Sequence, residues 1–107
     1  MADATLANSH NALPRQGIAA NDSYTVQIDP LWPDAGTTYT TAARPIKVIN
    51  HMGGLLFVRP GPTCTIDDPN ADMVPPGGYV NTYPSANGGL ITVISDTDTV
   101  VSFIRKP

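Results

Sequence analysis

From Arg44 onward, short β-branched and aromatic runs alternate with clusters of Gly, Pro, Asn and Asp: RPIKVINHMGG, LLFVRPGP, VPPGGYVNTY, GGLITVIS and DTDTVVSFIR. Runs of this length between turn-forming residues predict strands of a sandwich or barrel. Upstream, Ser23 to Ile28 predicts the first strand, because Tyr24, Val26 and Ile28 alternate with Thr25 and Gln27. DPLWPDAG then interrupts the pattern. Pro30 and Pro33 flank Trp32 and cannot donate to a ladder, so a crossover loop is expected there. Trp32 reads either as a loop residue folded over the end of the core or as an exposed anchor of a binding surface. Thr37 to Ala43, TTYTTAA, suits an edge strand or a solvated sheet face.

In RPIKVIN, Ile46 and Val48 share one face with Asn50, while Lys47, Ile49 and His51 share the other, so Ile46 and Val48 are expected to point inward. Met52, Gly53 and Gly54 then predict a hairpin into LLFVR, since glycine supplies the positive φ of a tight turn. Several later runs are apolar on both faces: Leu55 and Phe57 against Leu56 and Val58, Leu90 and Ile94 against Ile91 and Val93, Val101 and Phe103 against Val100 and Ile104. A two-layer sandwich buries only one face of each sheet. The second set must therefore meet a loop, the N-terminal segment or another subunit.

Composition sharpens the β assignment. All nine acidic residues are Asp, and lysine occurs only at Lys47 and Lys106, whereas surface helices use Glu and Lys heavily. Nine glycines and eleven prolines in 107 residues punctuate the chain too often for long helices. The expected fold is all-β: one small antiparallel sandwich or barrel of about six to eight short strands over residues 23–107, with an extended N-terminal arm, residues 1–22. A core this small is marginal by itself, which makes oligomer contacts useful.

The arm, MADATLANSHNALPRQGIAAND, lacks the basic region and continuous apolar stretch of a secretory signal. No run approaches the length of a membrane span, so no membrane is expected as a partner. The arm reads either as a loose tail or as a segment that orders against a neighbouring subunit, with Leu6, Leu13 and Ile18 as anchors. A net charge of −3, with four arginines and two lysines scattered, argues against nucleic acid. Cys64 is the single cysteine, so no internal disulfide forms and a small buried thiol is expected.

Candidate chemistry is sparse. Asp67 to Asp72, DDPNAD, offers oxygen ligands of the kind calcium takes. The run lacks the spacing and terminal Glu of an EF-hand, and Asp-Pro and Asn are ordinary turn formers, so no metal site is assigned. Asp96 and Asp98 are explained by a hairpin turn between two strong strands. His10 and His51 have no Asp or Cys at ligand-like spacing. There is no G-x-S-x-G elbow, and no Glu to act as a glycosidase acid, so no catalytic residue and no cofactor are assigned and an enzyme is not expected.

The order of elements resembles the small β-rich head-decoration (cement) and head-spike-base proteins of tailed bacteriophages. It runs from Ala43-Arg44-Pro45-Ile46-Lys47-Val48 through Gly53-Gly54 to Leu55-Leu56-Phe57-Val58. Val74-Pro75-Pro76-Gly77-Gly78-Tyr79-Val80 follows, then Leu90 to Ser95 and Thr99 to Arg105. About two thirds of the chain is covered; such proteins usually place a small-residue turn before the last strand, where this chain has Ser95-Asp96-Thr97-Asp98. The resemblance implies a structural virion protein, assembled in the host cytoplasm. Its partner would be the major capsid protein or another virion protein, and it would act as a homo-oligomer, with a trimer favoured. Trp32 joins Leu6, Leu13 and Ile18 as candidate partner contacts. The alternatives are a receptor- or carbohydrate-binding sandwich, whose exposed aromatics would be drawn from Trp32, Tyr39, Tyr79 and Tyr83, with two of the tyrosines expected to pack within the sheet, or a tail or neck component.

Overall fold

The computed structural model describes residues 2–7, 10–29, 45–85 and 88–105. Among them the fold is all-β, with nine short strands: β1 (Ala4–Leu6), β2 (Gln16–Ile18), β3 (Tyr24–Ile28), β4 (Ile46–Met52), β5 (Leu56–Pro60), β6 (Asp72–Val74), β7 (Tyr79–Thr82), β8 (Leu90–Ser95) and β9 (Thr99–Arg105). Trp32, Tyr39 and the Thr37 to Ala43 stretch lie outside the described residues. Sheet A has the order β1-β3-β8-β5-β6 and sheet B the order β2-β9-β4-β7. The ladders are antiparallel except for the parallel pairing of β1 with β3.

Strand alternation places the core between the sheets. Val26 and Ile28 of β3, Leu56 and Val58 of β5, and Ile91 and Val93 of β8 face inward from sheet A; Ile46 and Val48 of β4 and Val101 and Phe103 of β9 face them from sheet B, all essentially fully buried. The Tyr24 and Phe103 rings meet across this interior at 6.3 Å between centroids, tilted by 43°. The inward assignments of Val26, Ile28, Ile46 and Val48 agree with the alternation in the sequence.

Connectivity differs from a meander. Among the described strands only β5 and β6 are consecutive neighbours in a sheet, and each of the remaining consecutive pairs lies in different sheets. The expected hairpin at Met52-Gly53-Gly54 is an arch: β4 belongs to sheet B and β5 to sheet A. The expected hairpin at Asp96 to Asp98 is likewise an arch from β8 to β9. The two arches lock together. Gly53 has φ of 109°, and a Cβ there would overlap the carbonyl oxygen of Asp98 and the side chain of Thr99. The Gly54 amide donates to Thr97 Oγ1 at 2.6 Å. The buried Asn50 Nδ2 donates to the carbonyls of Gly54 and Val74, tying the same corner to β6. The glycines thus serve close backbone approach between connections distant in sequence, rather than a two-residue turn.

The segment expected as an arm is built into the fold. It supplies the edge strand β1 to sheet A and the edge strand β2 to sheet B. Leu6 and Ile18, expected as anchors on a neighbouring subunit, are buried in this chain's own core, and half-buried Leu13 packs against it. Arg105, 4% exposed, is the clasp. Its Nε donates to the carbonyl of His10 at 3.3 Å, Nη1 to that of Asp29 at 2.7 Å, and Nη2 to those of Ala7 at 3.0 Å and Leu6 at 3.4 Å. A guanidinium fork suits this task because its donors reach several oxygens in one plane.

Candidate interaction face

A sandwich exposes two outer faces, and this chain treats them differently. On sheet A, the outward Phe57 and Ile94 are buried beneath residues 61–71, which contribute Cys64, Ile66 and Ala71 to a second apolar cluster. Thr92 Oγ1 donates to the Gly61 carbonyl at 2.7 Å and shares a 2.8 Å hydrogen bond with Thr25 Oγ1. Arg59 Nη1 meets Asp68 Oδ2 at 3.0 Å, and Asp68 Oδ1 accepts the Asn70 amide at 2.9 Å. The Asn70 amide, followed by the Arg59 guanidinium, outweighs burial and holds the Asp68 carboxyl below its usual range. Burial, with Asp68 adding to it, pushes the Cys64 thiol up to about 11.

These contacts account for the DDPNAD run. Asp68 closes the covering loop, whereas Asp67, at φ of 59°, and Asp72 are exposed. Among the described residues no three His, Cys, Asp or Glu groups converge as metal ligands.

On sheet B, register sets the outer face. Ile49 lies opposite Ser102 on β9 and Tyr79 on β7, and Lys47 opposite Ile104 and Asn81. Gly17 of β2 lies opposite Val100. The half-buried Ile49, Val100 and Ile104 form an apolar strip, bordered by Tyr79 at 57% and Met52 at 59% exposure. Lys47 Nζ sits 4.2 Å from the centre of the Tyr79 ring, a cation–π contact between β4 and β7 on this face. At one end an open, mainly apolar recess of about 370 Å³ is floored by Gly17, Met52 and Val100. A Cβ at Gly17 would meet nothing within 4 Å.

His51 Nε2 and Ser102 Oγ are 2.6 Å apart on this face. Partial burial and then the charge of Arg15 lower the His51 pKa, so the neutral ring is favoured. Among the described residues no carboxylate hydrogen-bonds His51 to orient it, so the pair lacks the third member of a nucleophilic triad. It pins β4 to β9 beside the register shift after Asn50.

Family models, characterised proteins and solved structures offer no match to this chain. The candidate site therefore rests on its own geometry. Of the residues expected to contact a partner, Leu6, Leu13 and Ile18 turn inward and Trp32 lies outside the described residues. The structure brings together a different set, centred on Tyr79, Ile49, Lys47 and Ile104. The alternation of Lys47, Ile49 and His51 against Ile46 and Val48 was its signal in the sequence. Tyr79 and Tyr83, two of the candidate exposed aromatics, are both 57% exposed, because Tyr79 stands on the outward side of the edge strand β7 and Tyr83 lies just past its end.

Proposed function

We propose that this protein is a structural assembly subunit, a β-sandwich that works by docking to other protein subunits in a virion. The virion part of the reading rests on the resemblance, in the order of sequence elements, to phage head-decoration and head-spike-base proteins. The carrying observation is the asymmetry of the two outer faces: the chain covers Phe57 and Ile94 of sheet A with its own loop and leaves an apolar strip with exposed Tyr79 and Met52 on sheet B. An exposed patch of this kind rimmed by polar groups marks interaction surfaces on small domains. Multivalent attachment would let weak single contacts stabilise an assembled shell, because only the assembled geometry presents every site at once.

The test is co-sedimentation of the purified protein with assembled heads of the virus that encodes it, followed by imaging of the particles. Saturable binding at a fixed lattice position, with a raised temperature of head disruption, is the expected result. Failure to bind heads, tails or necks at micromolar protein would defeat the proposal. Exposed Tyr79 and Tyr83 favour one second reading, a glycan-binding face, since tyrosine rings stack on sugars. A glycan array separates the two: a decoration subunit binds particles and no sugar.

A further inference from the structure

The outer face of sheet B is cationic as well as apolar. Its cations are Lys47 of β4, placed on the face by strand alternation, and Arg15, which precedes β2 and lies near the neutral His51 ring. In a chain with nine aspartates and a net charge of −3, the strip from Arg15 across Ile49 to Tyr79 carries no carboxylate among the described residues. Asp98, on the rim of the recess, already accepts the Ala20 amide at 2.9 Å. The opposite side of the sandwich has the complementary character. There Asp67 of the covering loop and Asp72 of the edge strand β6 are exposed, and Met73, the next residue of β6, is 65% exposed.

We infer that the chain associates with itself head to tail, the sheet B face of one copy receiving the Asp67, Asp72 and Met73 edge of the next. Met73 meets the apolar strip beside Tyr79, while Arg15 and Lys47 face the carboxylates of Asp67 and Asp72. Pairing sheet B against sheet B would instead bring like charges together, which costs association and disfavours the symmetric dimer. A heterologous contact of this kind closes into a ring when its rotation permits and otherwise continues as a filament. The inference builds on the proposed role of the sheet B face as a subunit interface, and it is tested without particles.

Sedimentation equilibrium of the full chain across the micromolar range is the experiment. The wild type is expected to associate, and the association constant to fall about tenfold or more between about 0.05 and 0.5 M salt, as screening of the paired charges requires. Two variants extend it: Arg15→Glu with Lys47→Glu, and Asp67→Lys with Asp72→Lys. Each by itself is expected to be a folded monomer with a near wild-type melting temperature, because its two docking sides now repel. Mixed together, the two are expected to associate again, since every contact is then between opposite charges, a rescue that mere destabilisation would not produce. A wild type that remains monomeric, association unmoved by either variant, or a mixture that stays monomeric would overturn the inference. Particle binding is scored separately: a monomer that still occupies heads defeats this inference and leaves the assembly role standing.

Discussion

The two outer faces start from the same sequence pattern and end differently. Sheet A and sheet B both present apolar residues outward, yet Phe57 and Ile94 lie under residues 61–71 whereas Ile49, Val100 and Ile104 share their face with exposed Tyr79 and Met52. Among the described strands only the β5–β6 connection stays within a sheet, and the difference comes from it. Between β5 and β6 the chain leaves and re-enters sheet A, so its intervening loop must cross that sheet's own surface. The short connections from β4 to β5 and from β8 to β9 pass between the sheets instead.

Substitutions on the two faces should therefore have unequal costs. Phe57→Ala, beneath the loop, is expected to destabilise by about 3–5 kcal/mol through lost burial and a cavity, read as a lower denaturant midpoint with an unchanged slope. A loss below about 1 kcal/mol would mean that the loop does not seal the face.

Arg105→Met removes the clasp on the N-terminal segment that edges both sheets. A loss of about 2–3 kcal/mol is expected, since hydrogen bonds from a charged donor are replaced by none. Hydrogen exchange locates it: the amides of Leu13 and Asp29, bonded to the carbonyls of Phe103 and Leu6, should exchange faster while β8 stays protected. Equal acceleration in β8 would show that the segment and the core open as one unit.

The loop over sheet A should also respond to acid. Because the folded Asp68 carboxyl is held below its unfolded value of about 3.9, its stabilisation is present above that pH and is lost as pH falls through the depressed folded value. Cys64 reports the opening. Buried, with its thiol pushed up to about 11, it should be inert to a disulfide reagent at pH 8 and become accessible in Asp68→Asn or on acidification. Equal labelling of wild type and variant would detach Asp68 from loop closure.

His51 has the opposite chemistry and the same sign. Its lowered pKa means that the unfolded ring binds a proton first, so a small loss of stability is expected as pH falls below about 6.5, and His51→Gln should flatten it. The smallest effect belongs to Tyr79→Ser, within about 0.5 kcal/mol of wild type by chemical denaturation, because the ring is mostly solvent-exposed. A larger loss would place Tyr79 in the fold's own stability and weaken the contrast between the faces.

Within single strands the sequence was a good guide. Alternation in β3 and β4 identified Val26, Ile28, Ile46 and Val48 as core, and turn residues marked most of the breaks between strands. Partner choice was less legible. Gly53-Gly54 between apolar runs has the local chemistry of a hairpin, and nothing near it in sequence announces that Asp98 and Thr99 lie against its backbone. Leu6 and Ile18 are isolated apolar residues in a polar stretch, too sparse to reveal that each caps one edge of a common core. Arg105 ends the last apolar run, and the backbone carbonyls it reaches carry no side-chain signature.

The amino-acid sequence by itself determined the all-β class and the inward side of the central strands, since a period of two is written residue by residue. Only the tertiary structure decided that consecutive strands other than β5 and β6 lie in different sheets, that the N-terminal segment completes both, and which apolar residues are covered. Those outcomes depend on contacts between residues far apart in the chain. For such contacts the local pattern states that burial is needed but not what supplies it.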